Sequence, residues 1–240
     1  MTLVFHSAAS RGFANHGWLQ ANHSFSFANF YDSKKMNFGA LRVLNDDLIA
    51  PSMGFGTHPH DNMEIITIPL SGVLKHKDSM GNSWEEVNAG EVQVMSAGTG
   101  IHHSEINGSA SESLSLFQIW IVPNQKNVTP RYDQRFFEPS QDGELQILVT
   151  SMDDTSPDSS LKIHQDAQIS RINLSANTSF KYSLKSPNHG VYIMQVFGVS
   201  KIESTELNAR DAVGISEIDN FNIDVSEDSQ LLFIEVPITF

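Results

Sequence analysis

Two short stretches of this 240-residue chain carry side chains able to hold a metal ion, His58-Pro-His60 and His103-Ser-Glu105. In an extended strand alternate side chains share a face, so His58 and His60 point the same way with Cα atoms about 6.6 Å apart, and two imidazoles can converge on one ion. Pro59 has no N–H for a ladder and biases His58 toward extended backbone, which places the pair on an edge strand or at a bulge. The plainer alternative is two unrelated surface histidines flanking a turn proline. In Gly98-Thr-Gly100-Ile-His102-His103-Ser-Glu105 a glycine-rich turn leads into residues of which His103 and Glu105 share one face while His102 takes the other. If the two pairs lie on adjacent strands, three imidazoles and a carboxylate surround a divalent ion with open positions, and its residual positive charge suits an anionic oxygen ligand. Glu64 competes for the carboxylate place because it has the parity of His58 and His60. A straight strand would put it about 20 Å from His58, so it serves only if a bulge or bend intervenes.

The elements that must position these residues are strands. Period-two or continuous apolar runs cover His23–Asn29, Glu64–Ile68, Glu91–Met95, Leu114–Val122, Leu145–Val149, Val191–Phe197 and Gln230–Val236. Turn signals separate them at Ser71-Gly72, Asp78–Asn82, Asn88–Gly90 and Pro187–Gly190. Such a pattern predicts an all-β chain of sandwiches or closed barrels, because closure removes exposed edges. Residues 123–143, with Pro130 and Pro139 and no sustained periodicity, are expected to form the seam between two halves, 1–125 and 126–240. The polar run Ser151–Ser160 reads as a surface loop with solvated aspartates.

Composition narrows the chemistry. The chain has no cysteine, so a metal must be held by imidazole, carboxylate or water, and no disulfide forms. Eight of its ten histidines (6, 16, 23, 58, 60, 76, 102 and 103) fall in the first half, which locates the chemistry there; His164 and His189 read as loop or surface residues. A formal charge of −13 repels a phosphate backbone, which argues against direct nucleic-acid binding. No apolar run is long enough to span a membrane, and the start, MTLVFHSAAS, lacks the basic flank and apolar core of a signal peptide, so a cytoplasmic protein without membrane association is expected.

Several longer strings resemble the signature of the pirin family, and in particular its bacterial quercetin 2,3-dioxygenase-like members. They are Thr57-His-Pro-His-Asp-Asn-Met-Glu64, Asp78-Ser-Met-Gly-Asn82 and Gln93-Val-Met-Ser-Ala-Gly-Thr-Gly-Ile-His-His-Ser-Glu105. Upstream, Arg11–Trp18, His23–Phe27 and Leu41–Asp47 fit the same family, and beyond residue 120 Thr129–Tyr132, Lys162–Gln165 and Leu231–Pro237 resemble it less specifically. The resemblance implies a bicupin: two antiparallel β-barrels of the double-stranded β-helix type packed in tandem, with a metal only in the N-terminal one. It carries the metal ligands onto His58, His60, His103 and Glu105, the set that strand parity also selects, and implies that Glu64 is not itself a ligand.

The activity implied by the resemblance is a metal-dependent dioxygenase that opens the central ring of a flavonol such as quercetin with O2 and releases carbon monoxide. Its cofactor would be one divalent metal, iron first, with nickel, cobalt, manganese or zinc also compatible with the donors. Glu105, or a nearby carboxylate, is the candidate catalytic base for the substrate hydroxyl. Phe25, Phe27, Met95, Phe117 and Trp120 are candidates for the apolar mouth, or else ordinary barrel core. Pirin-like proteins also include transcription cofactors, so the same ligands would serve a non-catalytic redox sensor with a protein partner. A metal that merely ties strands together is the third alternative, and closed cysteine-rich sites are more usual for that role.

Overall fold

The computed structural model describes residues 1–81, 83–155 and 159–239. Asn82 of the predicted Asp78–Asn82 turn, and Ser156, Pro157 and Asp158 of the polar loop, lie outside the described residues. In chain order the strands are β1 (Thr2–His6), β2 (Gly12–Asn15), β3 (Leu19–His23), β4 (Leu41–Ile49), β5 (Gly54–His60), β6 (Glu64–Ser71), β7 (Val73–Asp78), β8 (Glu85–Asn88), β9 (Glu91–Ser96), β10 (Ile101–Asn107), β11 (Leu114–Ile121) and β12 (Arg131–Phe136). They continue as β13 (Gln146–Ser151), β14 (Leu161–Ile163), β15 (Gln168–Leu174), β16 (Thr178–Ser183), β17 (His189–Phe197), β18 (Ser200–Ile202), β19 (Thr205–Leu207), β20 (Ala212–Ser216), β21 (Asn220–Val225) and β22 (Ser229–Pro237).

Each half pairs a seven-stranded sheet with a four-stranded one. The first half has the orders β12-β9-β6-β11-β4-β3-β2 and β5-β10-β7-β8; the second has β1-β20-β17-β22-β15-β13-β14 and β16-β21-β18-β19. The two large sheets pack against each other, which is why their central strands read as continuous apolar runs. In β22, Leu231 and Phe233 point into the second barrel, while Leu232, Ile234 and Val236 join Leu44, Ile66, Val94 and Ile119 in the core between the barrels. The second barrel is filled by apolar side chains such as Ile193, Ile215, Ile223 and Phe233. Among the described residues, the interior of the first holds two apolar patches, around Leu74 and Leu116 and around Ile65 and Met95.

Two elements cross between the halves. β1 pairs with β20 in the second half's sheet, and β12, inside the stretch read as an aperiodic seam, pairs with β9 in the first. β12 alternates weakly and is half-buried to exposed, as befits an edge strand, so it carries little hydrophobic period. The expected strand over His23–Asn29 ends at His23. Beyond it the chain turns, with Ala28 at φ 48° and the Asp32 amide bonded to Ser26 Oγ, and the bulky alternation instead seats Phe25 in the inter-barrel core.

His189 corrects the surface reading. It is buried at the start of β17, where Nδ1–H donates to Glu235 Oε1 (2.9 Å) and Nε2 lies 3.2 Å from Asp166. Glu235, wholly buried in β22, also accepts from Tyr182 Oη (2.8 Å) and the Lys185 amide (2.7 Å). His164 is half-buried in a turn after β14. Asp154 of the polar loop is ion-paired with Lys185 (3.1 Å) and not simply solvated.

Candidate metal centre

β5 is the edge strand of its sheet, where Pro59 costs no ladder bond on the open side. Its neighbour β10 runs antiparallel with Ile101 opposite His60, His102 opposite Pro59 and His103 opposite His58, after which a bulge shifts Glu105 opposite Phe55. Across β10 the register with β7 is regular, placing Asp78 opposite His103 and His76 opposite Glu105, so the extra residue lies in β5 near Gly56 and Thr57. Gly54 permits close approach of the two strands: a Cβ there would stand 2.1 Å from the Glu105 carbonyl oxygen.

Strand parity brings the expected side chains together. His58, His60 and His103 have ring centroids 4.3–4.9 Å apart, with ligand-capable atoms within 4.8 Å of one another. Glu105 meets this group through His103, with Oε1 3.9 Å from His103 Nδ1. His76 forms a second such group with His103 and Glu105, to which no short spacing links it in the sequence. His102 is exposed, on the opposite face from His103. Glu64 does not join them. The chain leaves β5 through a turn in which Asn62 takes a left-handed φ of 45°, and Glu64 begins β6 in the other sheet, where Ser96 Oγ donates to it (2.6 Å). The turn breaks the parity that linked Glu64 to His58.

The hydrogen bonds sort the donors. His58 Nδ1–H donates to the Gly56 carbonyl (2.8 Å), leaving Nε2 as its lone-pair nitrogen. His76 is engaged at both nitrogens: Nε2–H donates to Asp78 Oδ2 (3.2 Å), and Nδ1 accepts from Gln93 Nε2 (3.1 Å). Gln118 Nε2 donates to Glu105 Oε2 (3.1 Å). By contrast, His103 Nδ1 and Nε2 and Glu105 Oε1 are buried without a hydrogen-bond partner among the described residues. Burial, then the His58 charge, lowers His60 to about 4; burial and the neighbouring histidines push His103 still lower, so both imidazoles are neutral at neutral pH. Burial raises Glu105 to about 7, against the opposing bond from Gln118. Neutral imidazoles and an under-bonded carboxylate in one buried spot suit a divalent cation, which would engage one ring nitrogen of His103 and Glu105 Oε1.

The supporting glutamines belong to a row that no local pattern displays. His23, Asn45, Gln118, Thr67 and Gln93 occupy one register across β3, β4, β11, β6 and β9, forming a polar band across the interior wall that is buried except at the half-buried Gln118. A cavity of about 440 Å³ opens beside the cluster, lined by His58, His60 and Glu105 together with Trp18, Phe27, Phe55 and Trp120. Trp120 meets His60 edge-on at 4.9 Å and Phe27 at 5.3 Å. Of the five expected mouth residues only Phe27 and Trp120 line this cavity; Phe25, Phe117 and Met95 are core. Trp18 and Phe55, in contact at 5.2 Å, supply the remaining aromatic wall.

Two packed antiparallel barrels, one with a histidine cluster in its interior, define a bicupin. The chain belongs to the pirin family: the Pirin family matches residues 5–121, and the quercetinase C-terminal cupin domain matches residues 148–236. It is 45% identical to quercetin 2,3-dioxygenase of Escherichia coli strain K12 over 98% of this chain and 99% of that protein. It is 41% identical to a pirin-like protein of Caulobacter vibrioides over 93% of this chain and 95% of the other. The crystal structure of bacterial pirin YhhW from Escherichia coli in complex with nickel(II) superposes with a TM-score of 0.91 at 42% identity, covering 98% of this chain and 99% of that one. Among the described residues no helix is long and apolar enough to cross a membrane.

Proposed function

We propose that the chain is a metal-dependent dioxygenase of the pirin type, which opens the central ring of a flavonol such as quercetin with O2 and releases carbon monoxide. The observation that carries this is the set of orphaned buried donors, His103 and Glu105 Oε1, beside His58 and His60 at the end of an aromatic-walled cavity. His58, His60, His103 and Glu105 would hold one divalent ion, iron being our assignment, with nickel, cobalt, manganese and zinc served by the same donors. His76 is left out because both its nitrogens are already bonded. Nickel(II) in the Escherichia coli relative supports a divalent site of this kind. We take the functional units to be residues 1–125 and 126–240, with β1 and β12 exchanged between their sheets.

When bound, the metal supplies a Lewis-acid centre that favours the ionised form of a ligated hydroxyl. The chain's own residues do the rest. Trp18, Phe27, Phe55 and Trp120 hold a planar ring system against their faces and edges and keep water from it. Glu105, or a nearby carboxylate, receives the substrate's hydroxyl proton, while the bond from Gln118 to Glu105 Oε2 keeps Oε1 directed to the cluster. Gln118→Leu should therefore weaken metal binding by about 10- to 100-fold in equilibrium dialysis without unfolding the barrel.

The activity test is the metal-loaded protein with quercetin in air and under argon. Loss of the flavonol absorption band with carbon monoxide evolved only in air is expected. A stably bound metal with no turnover in air would overturn the dioxygenase reading in favour of a sensor or regulatory partner protein.

A further inference from the structure

The cavity wall holds one carboxyl group that the ligand set and its supports do not use. Along β4 the residues facing the first barrel's interior include Val43, Asn45, Asp47 and Ile49. Asn45 accepts from His23 Nδ1–H at 2.9 Å. Asp47, one step further on the same face, is 4% exposed, lines the cavity, and has Oδ1 buried without a hydrogen-bond partner among the described residues. The residues opposite it on β3 and β11 are Ala21 and Leu116, whose side chains offer no polar group. Arginine does not bond to it either: Arg11 and Arg210 approach the neighbouring Asp46, at 3.3 and 3.7 Å. A carboxyl group held in that position weakens the fold unless something bonds to it.

We infer that Asp47 is a specificity-determining residue, accepting a hydrogen bond from a ligand hydroxyl remote from the group that faces the histidines. The inference rests on the reading of this cavity as a site for a hydroxylated planar aromatic molecule. Either protonation state of the carboxyl retains an acceptor oxygen. A ligand lacking that hydroxyl would leave Asp47 unpaired in a desolvated wall, the circumstance in which a pocket discriminates most sharply.

The test compares quercetin with 3-hydroxyflavone, which keeps the 3-hydroxyl and 4-keto groups and lacks the other hydroxyls. Binding of both is measured by calorimetry on metal-loaded protein kept free of oxygen, for wild type, Asp47→Ala, Asp47→Leu and Asp47→Asn. Wild type should prefer quercetin by about tenfold or more. The Ala and Leu variants should bring the two ligands within about threefold, and the isosteric Asn variant, retaining an acceptor, should keep part of the preference. Thermal unfolding of the metal-free proteins adds an independent readout: Asp47→Leu should melt at or above wild type, whereas a carboxylate with a structural role would give a lower melting temperature. A tenfold preference that survives in the Ala and Leu variants, a wild type that does not discriminate, or a clear loss of thermal stability in Asp47→Leu overturns the role of Asp47. Wild type that binds neither compound instead overturns the flavonol reading on which the inference rests.

Discussion

His103→Ala is expected to lose both the metal and the turnover that depends on it, with bound metal falling from about one ion per chain to near zero. His103 is the residue common to both donor groups, and its two ring nitrogens have no other partner among the described residues. In the metal-free state the loss should be mild, within about 1 kcal/mol, because the lost packing is offset by removal of unsatisfied buried nitrogens. In the metal-replete state the variant should lack the binding increment, about 4 kcal/mol at a metal concentration a thousandfold above Kd. His102→Ala, on the exposed face, should match wild type in both states. Elemental analysis and paired melts with and without metal check all of this. Because burial raises Glu105 to about 7 in the metal-free protein, metal uptake below that pH should release a proton, and apparent affinity should fall as pH drops through 7.

The second large effect lies far from the cluster. His189→Ala should destabilise the protein by about 3–5 kcal/mol, since it leaves the wholly buried Glu235 without its cationic partner. Most of this is assigned to Glu235, because Asp166, the other partner, is largely exposed and screened. Burial works to lower His189, but the bonds and charges of Glu235 and Asp166 outweigh it and raise the imidazole above 6.5. The protonated form is thus favoured in the folded state, so its contribution is fully present below 6.5 and is lost as pH rises through the raised value. The stability gap between wild type and variant should be widest near pH 5–6 and narrow in alkaline buffer. Denaturant melts across pH measure it, and a gap that widens with pH would contradict the pairing.

The contrast between these two histidines explains what the sequence made legible. His58, His60, His103 and Glu105 announce themselves because a period of two acts within three residues, and the proline and glycines that shape their strands are local too. Where a single backbone angle intervenes, parity fails: Asn62 in the left-handed region sends Glu64 into another sheet. Contacts set by register between distant strands leave no trace in a short window. Gln118 reaches Glu105, Gln93 reaches His76, and the row joining them spans five strands. His189 is bonded to a residue 46 positions away that sits inside an apolar run, where an isolated glutamate gives no hint of its partner. The two-barrel fold was legible from strand density and the family strings, whereas the crossing of β1 and β12 depends on sheet edges that only the assembled chain defines.

The convergence of four side chains from β5 and β10 on one cation is tested most directly by anomalous diffraction at the metal's absorption edge, on crystals grown with metal. One peak within bonding distance of His58, His60, His103 and Glu105, with His76 still bonded to Asp78 and Gln93, is the expected result. A peak held by His76, His103 and Glu105 with His58 and His60 unligated, or no peak inside this barrel, would contradict it.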